Sequence, residues 1–134
     1  MELLTLPLII SFQKITIPGK GGLVVGESEK EIPFPIKRVY WVEAATTENE
    51  VRGNHAHRRS VQVVVAMRGQ LKIELEDAQG EKFSYHLKDS SEGLLIPPMY
   101  WRKLYLEKDG SCLCFASKEY SEEDYIREYS VFKQ

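Results

Sequence analysis

Two of the protein's three histidines, His55 and His57, are separated by one residue and are the side chains best suited to chemistry. Side chains at positions i and i+2 of a β-strand point to the same face, so a strand here directs both imidazoles into one space, with Arg52 and Gly53 at its mouth. Histidine titrates near neutral pH, and two neighbouring rings can hold one proton while the second site serves as a base. The spacing predicts proton transfer, although strand histidines also serve in ordinary packing.

The elements that must position these histidines are predicted to be strands. Apolar alternation and β-branched runs between turn signals indicate about ten short strands, which favours an antiparallel sandwich or barrel. The clearest are predicted at 12–17, 23–26, 36–44, 60–67, 70–76, 82–87, 93–98, 100–106 and 111–117. Ser121, followed by three acidic residues, predicts a short C-terminal helix that ends near Tyr129.

Composition argues against a nucleic-acid-binding protein, a membrane-spanning protein and a cysteine metal site. The chain has 134 residues, which predicts one domain over 1–134, and 18 basic against 20 acidic residues give a net charge of −2 without a basic block for nucleic acid. The apolar stretch 3–10 lacks a basic leader and is too short to span a bilayer, so we expect a strand or arm and a cytoplasmic protein. Cys112 and Cys114 are expected to be buried thiols, because no further cysteine completes a metal site.

The histidine spacing resembles the first motif of the cupin jelly-roll family. The matching positions are Gly53, His55, His57, Gln62 and Gly69, with Gln62 where the motif has a glutamate. The segment 97–102 fits the length of the second motif, but Met99 replaces its glycine and Arg102 its histidine. The resemblance implies an all-β, cupin-type jelly-roll barrel (a double-stranded β-helix).

The departures from the cupin motifs concern the metal. A cupin metal site uses three histidines and a carboxylate, whereas this chain keeps two histidines, a neutral amide at Gln62 and a cation at Arg102. A positive charge repels a divalent ion, and the remaining ligand set is poor. We therefore predict no metal and no other cofactor, and keep a metal-dependent cupin enzyme as an alternative.

A narrower resemblance runs from about Phe12 to Phe132. The stretches that carry it are Ile36–Tyr40, Arg52–His57 with Gln62, Gly69, Pro97 with Trp101, and Tyr120–Tyr129. Together they resemble the sugar 3,4-ketoisomerase family. The resemblance implies a dTDP-linked 4-keto-6-deoxyhexose substrate, isomerised to the 3-keto sugar for deoxyaminosugar and polysaccharide biosynthesis. It also implies a homodimer that exchanges or shares N-terminal strands.

The roles expected of the site residues follow from this reaction. Moving a ketone from C4 to C3 requires a base, an acid and stabilisation of an enediolate. We expect His55 and His57 to move the proton, in an order that the sequence does not assign. Tyr40, on the predicted neighbouring strand, is the candidate donor to the enediolate oxygen, or else a half-buried sheet tyrosine.

The remaining candidates bind substrate. Arg38 and Arg52 are expected to bind the diphosphate, because the guanidinium group contacts phosphate oxygens in bidentate fashion. Gln62 either binds the sugar or orients a histidine, Trp101 either stacks on the ligand or lies in the core, and Arg102 either contacts phosphate or is exposed. The tail is assigned no chemistry and His86 is expected at the surface. A nucleotide-sugar-binding cupin without turnover and an isomerase for another keto position remain alternatives.

Overall fold

The computed structural model describes residues 5–134, which form mainly β-strands. The strands are β1 (Leu8–Ser11), β2 (Gln13–Thr16), β3 (Gly22–Val25), β4 (Arg38–Glu43), β5 (Glu50–His57), β6 (Gln62–Arg68), β7 (Leu71–Glu76), β8 (Lys82–Leu87), β9 (Glu92–Ile96), β10 (Trp101–Leu106), β11 (Ser111–Ala116) and β12 (Tyr125–Ile126). A 3₁₀ turn covers Glu122–Asp124, and the helix α1 covers Tyr129–Phe132.

The strands form two five-stranded antiparallel sheets and a hairpin. The first sheet has the order β1-β9-β6-β11-β4, the second has the order β12-β5-β10-β7-β8, and β2 pairs with β3. The two large sheets pack face to face, since residues from both share one buried cluster. Its aliphatic members include Val64, Leu94 and Ile96 from the first sheet and Leu71, Ile73, Leu75, Leu87, Leu104 and Leu106 from the second. The predicted all-β jelly roll is confirmed.

Alternation of apolar and polar residues explains which face of each strand points into the core. In β7, Leu71, Ile73 and Leu75 are buried while Lys72 is exposed, as the two-residue period of a strand requires. In β11, Cys112 and Cys114 are buried in the same core and are free thiols, as predicted. The outer face of the first sheet is partly covered by a second cluster, in which Ile32 and Phe34 from the segment between β3 and β4 pack on β6 and β9.

Two strands from opposite sheets border the site. β4 is the edge strand of the first sheet, and β5 lies between β10 and the two-residue strand β12 in the second. The inner face of β4 carries Arg38 and Tyr40, whereas β5 carries the histidines. The site therefore lies between the two sheets, beside the edge strand β4 and the paired strands β5 and β12.

The C-terminal tail differs from its prediction. A helix over Ser121–Tyr129 was expected, but after the 3₁₀ turn the chain extends as β12, where Tyr125 pairs with His57 and Ile126 pairs with Ala56. The acidic first turn is present, yet pairing with β5 and burial of Ile126 outweigh the local preference for helix. The predicted short C-terminal helix is α1, which is shorter and begins later.

The N-terminal prediction is met in part. Leu8–Ser11 forms a strand that pairs with β9, while positions 1–4 of the chain lie outside the described residues. Within residues 5–134, no helix has both the length and the apolar character that a membrane crossing requires.

Candidate active site

A bulge in β5 decides which residues share the site's face. His55 pairs with Arg102 of β10, but the next pairs are Gly53 with Lys103 and Arg52 with Leu104, so Asn54 is an extra residue. Gly53 has φ +95°, and a Cβ there would lie 2.9 Å from the carbonyl oxygen of Arg102, so glycine is required by both conformation and space. The bulge places Arg52 on the same inward face as the histidines.

The two imidazoles meet edge to face at the inner surface of β5. His55 Nε2 lies 3.2 Å from His57 Nε2, and the ring centroids are 4.9 Å apart. His57 is buried, while His55 is half-buried and has its Nδ1 3.1 Å from the carbonyl oxygen of Gly53. The predicted common space for the pair is present, and the two Nε2 atoms are close enough to pass a proton directly.

Gln62 connects this pair to two further site residues. The hydroxyl of Tyr40 donates to Gln62 Oε1 at 2.8 Å, and Arg102 Nη1 donates to the same oxygen at 3.3 Å. Because a guanidinium can only donate, the amide oxygen of Gln62 faces these groups and its Nε2 faces His57 Nε2, 3.1 Å away. This contact is the one expected if Gln62 orients His57, which was one of its two predicted roles.

Arg102 is a cation in an unusual setting. Its side chain is only 2% exposed, and it donates to two neutral oxygens, those of Gln62 and the Tyr100 carbonyl. Its Nε has no hydrogen-bond partner within residues 5–134. Burial lowers the pKa of Arg102, but guanidinium remains the charged form at neutral pH. A buried positive charge without a carboxylate in contact is costly unless an anionic group joins it.

Burial and positive charge set the protonation of the neighbours. Desolvation, followed by the charge of Arg102, lowers the pKa of His55 from 6.5 to about 3 and that of His57 to about 2. Both rings are therefore neutral, and able to act as bases, at physiological pH. Desolvation raises the pKa of Tyr40 far above 10, so its phenol remains a hydrogen-bond donor.

The tail contributes two residues that the sequence interpretation left without a role. Asp124 is buried, and its Oδ2 lies 3.0 Å from His57 Nδ1. The ring of Tyr125 lies against both histidines at tilted angles, with centroids 5.0 Å from His55 and 4.3 Å from His57. The Asp-Tyr-Ile-Arg segment that carried the family resemblance was the available signal for both residues.

The two predicted diphosphate ligands lie on the strands that border the site. Arg38 Nη2 donates to the hydroxyl of Tyr125 at 2.9 Å, its guanidinium stands 4.8 Å from the centre of the Tyr40 ring, and its buried Nε is unpartnered in the described part of the chain. Arg52 is exposed and donates to Glu50 Oε2 at 2.9 Å. Arg38 is thus at the site itself, and Arg52 lies farther along the same inward face.

Trp101 lies elsewhere. It is next to Arg102 in β10, so its side chain points to the opposite, outer face of the sheet. There it is buried against Tyr129 and Phe132, with ring centroids at 5.4 and 5.7 Å, and belongs to a cluster with Ala56 and Ile126. The structure does not bring it to the histidines, so the expected ligand stacking gives way to the core position that was its alternative. His86 is exposed in β8, as expected.

The side chains around the histidine pair are not arranged as the ligands of a metal ion would be. Over residues 5–134, no group of three or more His, Cys, Asp and Glu side chains converges on one point. The nearest carboxylate, Asp124, lies on the Nδ1 side of His57, away from the facing Nε2 atoms. The cation Arg102 lies on the Gln62 side of the same ring.

Comparison with known proteins groups this chain with sugar-nucleotide enzymes. The family model described as "FdtA: WxcM-like, C-terminal" matches residues 7–134. A curated protein of Aneurinibacillus thermoaerophilus, TDP-4-oxo-6-deoxy-alpha-D-glucose-3,4-oxoisomerase, is 38% identical over 127 residues, which cover 94% of this chain and 89% of that protein.

Solved structures give the same grouping. The sugar 3,4-ketoisomerase QdtA of Thermoanaerobacterium thermosaccharolyticum, in complex with TDP, matches with a TM-score of 0.87 and 34% identity, covering 95% of this chain and 91% of that one. A mutant of that enzyme in complex with TDP-4-keto-6-deoxyglucose matches with a TM-score of 0.87 and 33% identity, covering 98% and 94%.

Proposed function

Because the chain belongs to the WxcM-like sugar 3,4-ketoisomerase family, we propose that it moves the keto group of a dTDP-4-keto-6-deoxyhexose from C4 to C3 by proton transfer through the histidine pair. The observation that carries the mechanism is the 3.2 Å approach of His55 Nε2 to His57 Nε2 beside the donors Tyr40 and Arg102. The substrate chemistry comes from the relatives, and the roles of the residues come from this geometry.

The reaction moves two protons and no other atoms. A base takes the C3 proton, the C3–H electrons form a C3–C4 double bond, and the C4 carbonyl becomes an enediolate oxygen. The proton returns to C4, while the hydroxyl hydrogen of O3 is lost and O4 gains one. Nδ1 of His57 faces the carboxylate of Asp124, and its Nε2 faces the amide nitrogen of Gln62. Nε2 is therefore the basic atom of His57. The neutral state of both rings permits abstraction at physiological pH.

The developing negative charge needs donors that are already in place. Tyr40 keeps its phenolic proton because burial raises its pKa, and it donates that proton to Gln62 Oε1, so in this scheme the hydroxyl turns from Gln62 to the enediolate oxygen when substrate is bound. Arg102 adds a buried positive charge, and its Nε has no hydrogen-bond partner among the described residues. In a site shielded from water such fixed donors commonly contribute about a hundredfold to a thousandfold in rate. Arg38, Arg52 and the diphosphate would pair at the outer end of the site.

A homodimer is the second part of the proposal. The hairpin β2–β3 exposes Ile15 and Leu23, and the outer face of β4 exposes Trp41 at 64%. Apolar surface of this kind favours burial against a second copy, with the N-terminal strands shared between subunits. Light scattering coupled to gel filtration tests this: the dimer is expected, and a monomer at micromolar concentration contradicts it. The buried free thiols Cys112 and Cys114 support a cytoplasmic location.

The activity is tested by incubating the purified chain with dTDP-4-keto-6-deoxyglucose and following the sugar resonances by NMR. We expect the 4-keto signals to give way to those of the 3-keto isomer. Binding measured by calorimetry without turnover would instead support a nucleotide-sugar-binding cupin. Elemental analysis of protein purified without chelators addresses the metal alternative, because stoichiometric iron, manganese, nickel or zinc would contradict metal-free chemistry.

A further inference from the structure

We propose that Asp124, carried by the C-terminal tail, is a positioning residue that fixes the tautomer of His57 and stabilises its protonated form during the reaction. This inference rests on the proposed function and adds a third member to the histidine pair. Asp124 lies 67 positions beyond His57 in the chain, yet its carboxylate is 3.0 Å from the ring.

The contacts of the Asp124 carboxylate define which ring nitrogen of His57 carries the hydrogen. Asp124 Oδ1 accepts from the backbone N–H of Arg59 at 2.7 Å, and Oδ2 faces His57 Nδ1. An ionised carboxylate can only accept, so Nδ1 of His57 carries the hydrogen. On the other side of the ring, the amide nitrogen of Gln62 donates toward Nε2. Both neighbours therefore require the same tautomer, with the lone pair on Nε2.

The backbone holds the carboxylate in place. Arg58 N donates to the Asp124 carbonyl at 2.8 Å, and β12 begins at the next residue, where Tyr125 pairs with His57 itself. Asp124 is 4% exposed, so water does not compete for its oxygens. The ring of Tyr125 packs against His57 at a tilt of 58°, with the ring centroids 4.3 Å apart, and limits the space in which the imidazole can turn. The tail thus sets both the orientation and the proton position of the imidazole.

The same contact acts when His57 takes a proton from C3. The imidazolium then faces a buried carboxylate, and this pairing offsets the burial and the Arg102 charge that otherwise disfavour the cation. Asp124 touches neither the sugar nor the reacting atoms in this scheme. It acts on the reaction through His57.

The decisive variant is Asp124→Asn. The backbone N–H of Arg59 still requires an acceptor, so the amide oxygen of the asparagine takes the place of Oδ1. The amide nitrogen then takes the place of Oδ2 and donates to His57 Nδ1. Nδ1 must then hold the lone pair, and the hydrogen moves to Nε2, where a base is needed. Reversing the tautomer of a catalytic histidine in this way reduces kcat by about a hundredfold to ten-thousandfold. We expect a loss of this size, with little change in KM. Glu123→Gln, a charge-matched change at an exposed site in the same turn, is the control.

Two readouts separate positioning from mere structure. Nitrogen-15 NMR of the imidazoles should show His57 with hydrogen on Nδ1 in the native protein and on Nε2 in Asp124→Asn, whatever the activity. In Asp124→Ala, added formate should restore part of kcat by occupying the place of the carboxylate. A native His57 that carries its hydrogen on Nε2, or an Asp124→Asn variant with native kcat, overturns the inference. An inactive native protein with the expected tautomer would overturn the proposed function alone.

Discussion

Acidification should destabilise the fold through the buried histidine pair, and the structure sets the size of the effect. The folded pKa values of His55 and His57 lie near 3 and 2, whereas an unfolded histidine titrates near 6.5. Between these values the unfolded chain binds more protons, so the free energy of unfolding falls as the pH decreases below 6.5. From pH 7.0 to 5.5 the loss is about 1.3 kcal/mol for each ring, or about 2.5 kcal/mol for both.

Urea denaturation at several pH values between 5.5 and 7.5 measures this loss while most carboxylates stay ionised. The double variant His55→Asn/His57→Asn should lose the dependence, and His86→Asn, which retains the pair, should keep it. A native protein whose free energy of unfolding changes by less than about 0.5 kcal/mol over this range would refute the buried neutral pair. A loss of only about 1.3 kcal/mol would mean that one ring is already protonated in the folded state at pH 5.5.

Three substitutions test the remaining assignments. Tyr40→Phe removes the donor to Gln62 and should lower kcat about a hundredfold or more, measured by NMR of product formation, with the melting temperature nearly unchanged. Arg102→Met removes a buried, uncompensated cation, so kcat should fall by a similar factor while thermal unfolding shows equal or greater stability. Trp101→Ala should lower the free energy of unfolding by about 3–5 kcal/mol in urea, because the ring is buried against the tail. The KM of this variant for the nucleotide sugar should equal that of the native protein. A raised KM in the folded variant would indicate that Trp101 contacts the ligand.

Strand positions were predictable because alternation is a local property. β8 has the predicted bounds, and the observed ends of β10 and β11 lie within one residue of the prediction. The same alternation also separates Trp101 from Arg102, since Leu104 and Leu106 must face the core together with Arg102. Assigning both neighbours to the ligand therefore conflicted with the period of the strand.

The finer geometry of the site depends on contacts between distant residues. The bulge at Asn54 exists only relative to the register with β10, and it decides that Arg52 shares a face with His55. Asp124 reaches His57 because β12 pairs with β5, a pairing that no local propensity indicates. The acidic turn looked like a helix start in sequence, and its role became visible only once the tail lay against the sheet.

Proton transfer by the histidine pair is tested most directly in deuterated water. Incubation with dTDP-4-keto-6-deoxyglucose should give a 3-keto product in which solvent deuterium appears at C4 to the extent that the shuttled proton exchanges, and the remaining substrate should exchange at C3. His57→Asn, folded by circular dichroism, should show neither isomerisation nor exchange. Native rates of both processes in His57→Asn and in His55→Asn would contradict the account, because the proton would then travel by groups other than the pair.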